Sequence, residues 1–295
     1  MNVYDLNDHI YRLLYSEPFF AHLSRMITKM PNKSIPTAGV RVNPETAQFE
    51  LIYNPEFFEK LPENHVRGVL VHEFYHLVFG HVTERRPENV EHKVWNIATD
   101  LAINSIIGKD NLPDFVCIPG GKNFENYPHN QASEYYLEML KQDEKFQERQ
   151  ENEKQKGQKG QSGEGQGQGS GDPSEGGPDD PNGQLDSHND WENGEGGENS
   201  AANQIAGERL KEMMEKAAND CSKNNSWGSV SSQVREDIMK RLQTKVDWKK
   251  VLRYFIGRAQ RSDRTNTVRK INKRFPYIHA GRKTNYSAHI AIAID

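Results

Sequence analysis

The sequence predicts an α+β, helix-dominated domain with a small β-hairpin, then a long disordered linker, then a basic helical C-terminal segment. Apolar residues at helical spacing fill most of residues 1–141, and two short extended runs between Gly39 and Tyr53 interrupt them. Residues 142–202 become Gln/Glu/Lys-rich and then Gly/Ser/Asp/Glu-rich, a composition that cannot bury enough apolar surface to offset the entropy of ordering it. Helical spacing returns near Asn203, now crowded with lysine and arginine. With 34% apolar residues and a mean hydropathy of −0.90, the 295-residue chain is too polar for two fully folded domains.

Taken in order, the stretch from Asp5 to about Met30 places Leu6, Ile10, Leu13, Leu14, Phe19, Phe20, Leu23 and Met26 at helical spacing. Pro18 interrupts it, so it reads as two short helices. Gly39–Val42 and Phe49–Tyr53 flank the turn-rich Asn43-Pro-Glu-Thr and form the expected hairpin. Phe49–Tyr53 directly precedes the next helix; as a sheet edge it would offer backbone hydrogen bonds to an extended peptide, the alternative being a purely structural strand. Pro62 suits a first helical turn, Glu63 favours the positive helix N-terminus, and Val66 to Phe79 runs without a breaker until Gly80.

That helix contains His72-Glu73-Phe74-Tyr75-His76. Residues four apart share a helix face, so His72 and His76 can present two imidazoles to one metal ion. Glu73 is offset by one position and can serve as a base toward a water rather than as a ligand. A structural histidine pair is the alternative, but polar side chains in so apolar a run are costly to bury without a partner such as a metal. A third ligand is needed. Asp100 is the better candidate, because Asn96, Asp100 and Asn104 recur every fourth residue and would line one face of a second helix, bringing a carboxylate to the metal and orienting the histidines. His81, just past Gly80, is the alternative third ligand; metzincins place their third histidine six residues after the second, and here the spacing is five.

Tyr53-Asn-Pro-Glu-Phe57, His72-Glu-Phe-Tyr-His76, His81 and Trp95-Asn-Ile-Ala-Thr-Asp100 together resemble the zincin-like metallopeptidase domain found ahead of a von Willebrand factor A-like domain in bacterial and phage proteins. The resemblance implies zinc (Zn2+) bound through His72, His76 and Asp100, with Glu73 as base. It also gives meaning to the apolar run His289-Ile-Ala-Ile-Ala-Ile-Asp295, which would be the first strand of such a domain, with Asp295 opening an Asp-x-Ser-x-Ser motif that the sequence does not continue. The expected organisation is therefore residues 1–141 as the metallopeptidase domain, 142–202 as linker or insertion, 203–285 as a basic helical segment and 286–295 as that strand.

Secondary sites are weaker. Arg85 or Arg86, in the polar loop after Thr83, would be able to stabilise an oxyanion, and Tyr75, Tyr127, Tyr135 and Tyr136 offer phenolic donors, with packing as the default for each. Ser133 is placed to cap a helix over Ser133–Leu140. Cys117 and Cys221 lack metal-type spacing and read as ordinary thiols. No segment approaches a membrane span and the N-terminus has no signal-peptide pattern, so a cytoplasmic protein is expected.

The leading expectation is a zinc-dependent peptidase acting on a peptide or protein substrate. One alternative is a metal-fastened adaptor working with a MoxR-type AAA+ ATPase, a partner that the family resemblance implies by analogy. The other is nucleic-acid binding through the C-terminal basic residues, among them Lys249, Lys250, Arg269, Lys270, Lys273 and Arg274.

Overall fold

A computed structural model describes residues 4–83, 87, 90–151, 185, 201–242 and 264–284. Helices dominate and a small sheet accompanies them, as the α+β expectation requires. The chain divides into two units, Met1–Leu242 and Gln243–Asp295.

The first unit opens with the two expected helices, α1 (Leu6–Ser16) and α2 (Pro18–Ser24). Asp5 caps α1 by accepting from the Asn7 amide at 2.9 Å, and Pro18 begins α2 where its missing N–H costs nothing. Three strands follow: β1 (Thr28–Pro31), β2 (Ala38–Val42) and β3 (Phe49–Tyr53). The expected hairpin is β2–β3, paired antiparallel from Ala38↔Tyr53 to Val42↔Phe49. The edge role considered for Phe49–Tyr53 fails, because β1 pairs parallel to its other side and gives the order β1-β3-β2. All five residues of β3 are buried, so the strand is structural.

Asn54 caps the short α3 (Pro55–Glu59), and the chain enters α4 (Glu63–Val78), whose residues from Gly68 onward are buried on every side. α5 (His92–Ile107) is likewise buried from Trp95 to Ser105. A helix apolar all round belongs inside the protein. The two sit between two apolar clusters. One joins α1, α2, the sheet and most of α4; the other packs Trp95, Ile97 and Leu101 of α5 against Phe124, Tyr136, Leu137 and Phe146. The polar line Asn96, Asp100 and Asn104 is therefore fully buried rather than solvated.

α6 spans Ser133–Gln142, and residues 144–151 form a further helix, α7. Ser133 is the first helical residue rather than the cap, which is Ala132. The expected linker start at 142 thus falls inside structure, since Phe146 and Gln150 are buried. Beyond 151 the linker lies outside the described residues, apart from Leu185 and its end at 201–202. Leu185 is fully buried in the main core and accepts a hydrogen bond from Thr37 Oγ1.

α8 (Ala201–Asn224) and α9 (Ser232–Leu242) complete the first unit instead of opening a separate segment. Ala206, Leu210, Met213, Met214, Ala217 and Cys221 enter the main core, and Trp227 stacks on Phe19 with ring centroids 5.4 Å apart. The buried Glu17 carboxylate accepts from Ser229 N at 2.9 Å and Ser229 Oγ at 2.7 Å. Both cysteines are buried thiols; burial pushes the Cys221 thiol up to about 11.

In the second unit, residues expected to continue the helical segment form an antiparallel hairpin, β4 (Arg264–Ile271) and β5 (Ala280–Thr284). The helices expected around Val246–Ile256 and the strand at 286–295 lie outside the described residues, as do Arg85 and Arg86. No described helix is long and apolar enough to cross a membrane.

Gly68 lets α4 touch the turn after α5. A Cβ there would stand 1.7 Å from the Asn111 carbonyl oxygen. Alanine is the better helix former by about 1 kcal/mol. The contact should outweigh that, and Gly68→Ala is expected to destabilise the protein by about 1–3 kcal/mol in denaturant titration. Stabilisation instead would refute the close approach.

Candidate metal centre

The site lies where α4 faces α5. His72 and His76, one helical turn apart, project their Nε2 atoms to within 3.0 Å of each other. Asp100 Oδ1, from the centre of the polar line on α5, stands 3.6 Å from His72 Nε2 and 3.3 Å from His76 Nε2. All three side chains are fully buried. Ligand atoms held about 2.0–2.1 Å from a tetrahedral ion are about 3.3–3.4 Å from one another, and the three observed edges bracket that spacing. These residues are thus placed to hold a metal ion.

Neighbouring groups determine where the ring protons go. His72 Nδ1 is 2.8 Å from Asn104 Oδ1. The Asn104 amide nitrogen donates to the Cys117 carbonyl at 2.7 Å, which turns the amide oxygen toward His72. An amide oxygen only accepts, so His72 carries its proton on Nδ1 and leaves Nε2 with a lone pair aimed at Asp100 and His76. Asn104 is the orienting residue that its place on the polar line predicted. The Cys117 carbonyl had no sequence signal, because it comes from an irregular loop.

His81 is held on the far edge of the His76 ring, its Nδ1 3.2 Å from His76 Nδ1. The backbone dictates this. Gly80 turns at φ +71° after α4; the Gly80 amide bonds to Leu77 O at 2.9 Å and the His81 amide to His76 O at 2.9 Å. That pair is the Schellman ending, in which the residue after the glycine meets the side chain of the residue five before it. Ordinarily the contact is apolar; here it is imidazole on imidazole. The alternative of His81 as third ligand therefore meets a geometry in which Asp100, not His81, completes the triangle.

Glu73 is fully buried, next to His72 on α4. The tyrosines considered as donors are engaged elsewhere. Tyr75 packs between Phe20 and Phe79, at centroid distances of 4.8 and 5.3 Å, and burial raises its pKa. The Tyr127 hydroxyl bonds to Asp143 at 3.0 Å and that of Tyr136 to the Pro128 carbonyl at 2.6 Å. Tyr135 lies at the surface.

Over residues 2–288 the chain matches the family described as "Putative metallopeptidase domain", and it belongs to that family. It is 23% identical over 298 residues to a Thermotoga maritima protein named "Uncharacterized protein", a match covering 94% of this chain and 64% of that one. No solved structure matches it.

Elemental analysis of purified protein supplied with zinc is expected to find close to one metal per chain, lost from both His76→Ala and Asp100→Ala. Wild-type protein without metal would remove the centre altogether.

Proposed function

We propose that this member of the metallopeptidase-domain family is a zinc-dependent peptidase of the HExxH zincin type, with His72, His76 and Asp100 as ligands and Glu73 as general base. The observation that carries the reading is the triangle of two Nε2 atoms and one Oδ1, with edges of 3.0, 3.3 and 3.6 Å. Two imidazoles and one carboxylate favour zinc over magnesium or calcium, which prefer oxygen ligands. Zinc held there would polarise a peptide carbonyl and lower the pKa of a water toward neutrality.

Glu73 takes the proton of the attacking water and returns it to the departing amine. Asn104 keeps His72 in the ligating tautomer. A structural zinc closes with four protein ligands and has no use for an adjoining base. Among the described residues three side chains converge, with Glu73 next in sequence to one of them, and this supports catalysis over a metal-fastened adaptor for an ATPase partner. Because all four residues are fully buried, a peptide reaches them only when part of the covering structure moves. A cytoplasmic setting suits two cysteines that are both buried thiols.

Glu73→Gln is expected to lower peptide hydrolysis by at least about a hundredfold, within the range a general base contributes, while zinc content stays at the wild-type level. Unchanged hydrolysis would remove Glu73 from the mechanism.

A second reading rests on the β4–β5 hairpin by itself. Residues 264–284 contain seven lysines and arginines and no acid. Arg269, Lys270, Lys273, Arg274, Arg282 and Lys283 are exposed, as are Phe275, Tyr277 and Ile278. Cations interleaved with exposed aromatic rings suit a single-stranded nucleic acid, whose phosphates and bases both find partners. Anisotropy with a labelled oligothymidine should show affinity falling with salt at a log–log slope of about −3 to −4, for roughly five phosphates engaged. No binding at low salt would discard this reading.

A further inference from the structure

The His76–His81 contact continues to a third side chain. His81 Nε2 lies 3.4 Å from Ser133 Oγ, at the first turn of α6, and both side chains are buried. His81 is also hemmed in by aromatic rings, with centroids 5.9 Å from Trp95 and 5.8 Å from Phe79. The array therefore runs Asp100, His76, His81, Ser133, across α4, the turn after it, α5 and α6.

We propose that His81 is a positioning residue for His76: it accepts the Nδ1 proton of His76, and Ser133 in turn accepts from His81. The inference rests on the metal-centre reading above. Proton bookkeeping supports it. For His76 Nε2 to offer a lone pair beside Asp100, a neutral His76 must carry its proton on Nδ1. That proton points at His81 Nδ1, 3.2 Å away, which must then be bare, so the His81 proton sits on Nε2. Ser133 Oγ is the atom that faces it, and a hydroxyl oxygen can accept. With that assignment all three side chains are satisfied and His76 is able to ligate. The reverse assignment would put the His76 proton on Nε2, 3.3 Å from Asp100 Oδ1, where a metal would have to displace it. Asn104 performs the same service for His72, so His72 and His76 are each oriented through Nδ1 from a different part of the fold.

The test uses zinc alone as the probe on the full chain, read by chelator competition and by X-ray absorption at the zinc edge. Wild type is expected to show two imidazoles. His81→Ala should keep two imidazoles and bind zinc about 10–100-fold more weakly, the usual cost of losing an orienting partner. His81→Gln, whose amide oxygen can still accept from His76, should recover most of that loss, with melting temperatures checking that both variants fold. Three imidazoles in wild type falling to two in His81→Ala would make His81 a ligand and overturn the proposal. Equal loss in His81→Ala and His81→Gln would also overturn it, by reducing His81 to packing. Wild type that takes up no zinc would instead remove the metal centre itself, a result distinct from either.

Discussion

Two imidazoles and a carboxylate share a fully buried space between α4 and α5, and the surrounding fold is arranged about that fact. Taking the Asp100 carboxylate of α5 out of water costs several kcal/mol, and Glu73 of α4 adds a second buried one. A divalent cation at the triangle would offset that cost and would attract rather than merely tolerate Asp100. The apolar clusters on either side serve the same end, because they hold two helices rigidly enough that atoms from different elements stay within a few tenths of an ångström of ligand spacing. Rigidity here comes from close packing, as at Gly68, where backbone meets backbone with no room for a side chain.

Much of this was legible in the sequence. Spacing of four along a helix is a local property, so the pairing of His72 with His76 and the polar line through Asp100 could be read directly. So could the paired short helices and the β2–β3 hairpin, which depend on Pro18 and on the turn at Asn43. What could not be read was long-range. Whether β3 is an edge depends on β1, which pairs with it in parallel from a separate stretch, and the short Thr28–Pro31 run carries little pattern of its own. The burial of α8 depends on its meeting the sheet and α2; its sequence alone reads as an amphipathic helix free to sit anywhere. Leu185 did leave a trace, as the lone aliphatic residue between 152 and 200, but composition averages hide a single anchor.

His81 shows how a motif search can mislead when it counts spacing without backbone geometry. Its proximity to the metal helix invites comparison with a third zinc ligand, yet the glycine before it fixes a left-handed turn that lays the ring along the outside of His76. Gly80 was visible as a helix stop; what it does to the next side chain follows from the hydrogen-bond pattern of the stop. Thus the same residue type, moved by one position, changes from candidate ligand to neighbour of a candidate ligand.

The guanidinium of Arg241 donates to the Val78 carbonyl at 2.7 Å, satisfying the last turn of α4 with a cation where the helix dipole is negative. The two residues are 163 positions apart in the chain. At roughly 5–20 residues per second, a ribosome needs about 10–30 s after making Val78 before Arg241 is polymerised. The helix that carries His72 and His76 is therefore among the first parts of the protein to be synthesised and among the last to be finished. A nascent chain stalled before α9 would present both histidines on a helix already closed by its own turn but without the bond that Arg241 gives the Val78 carbonyl.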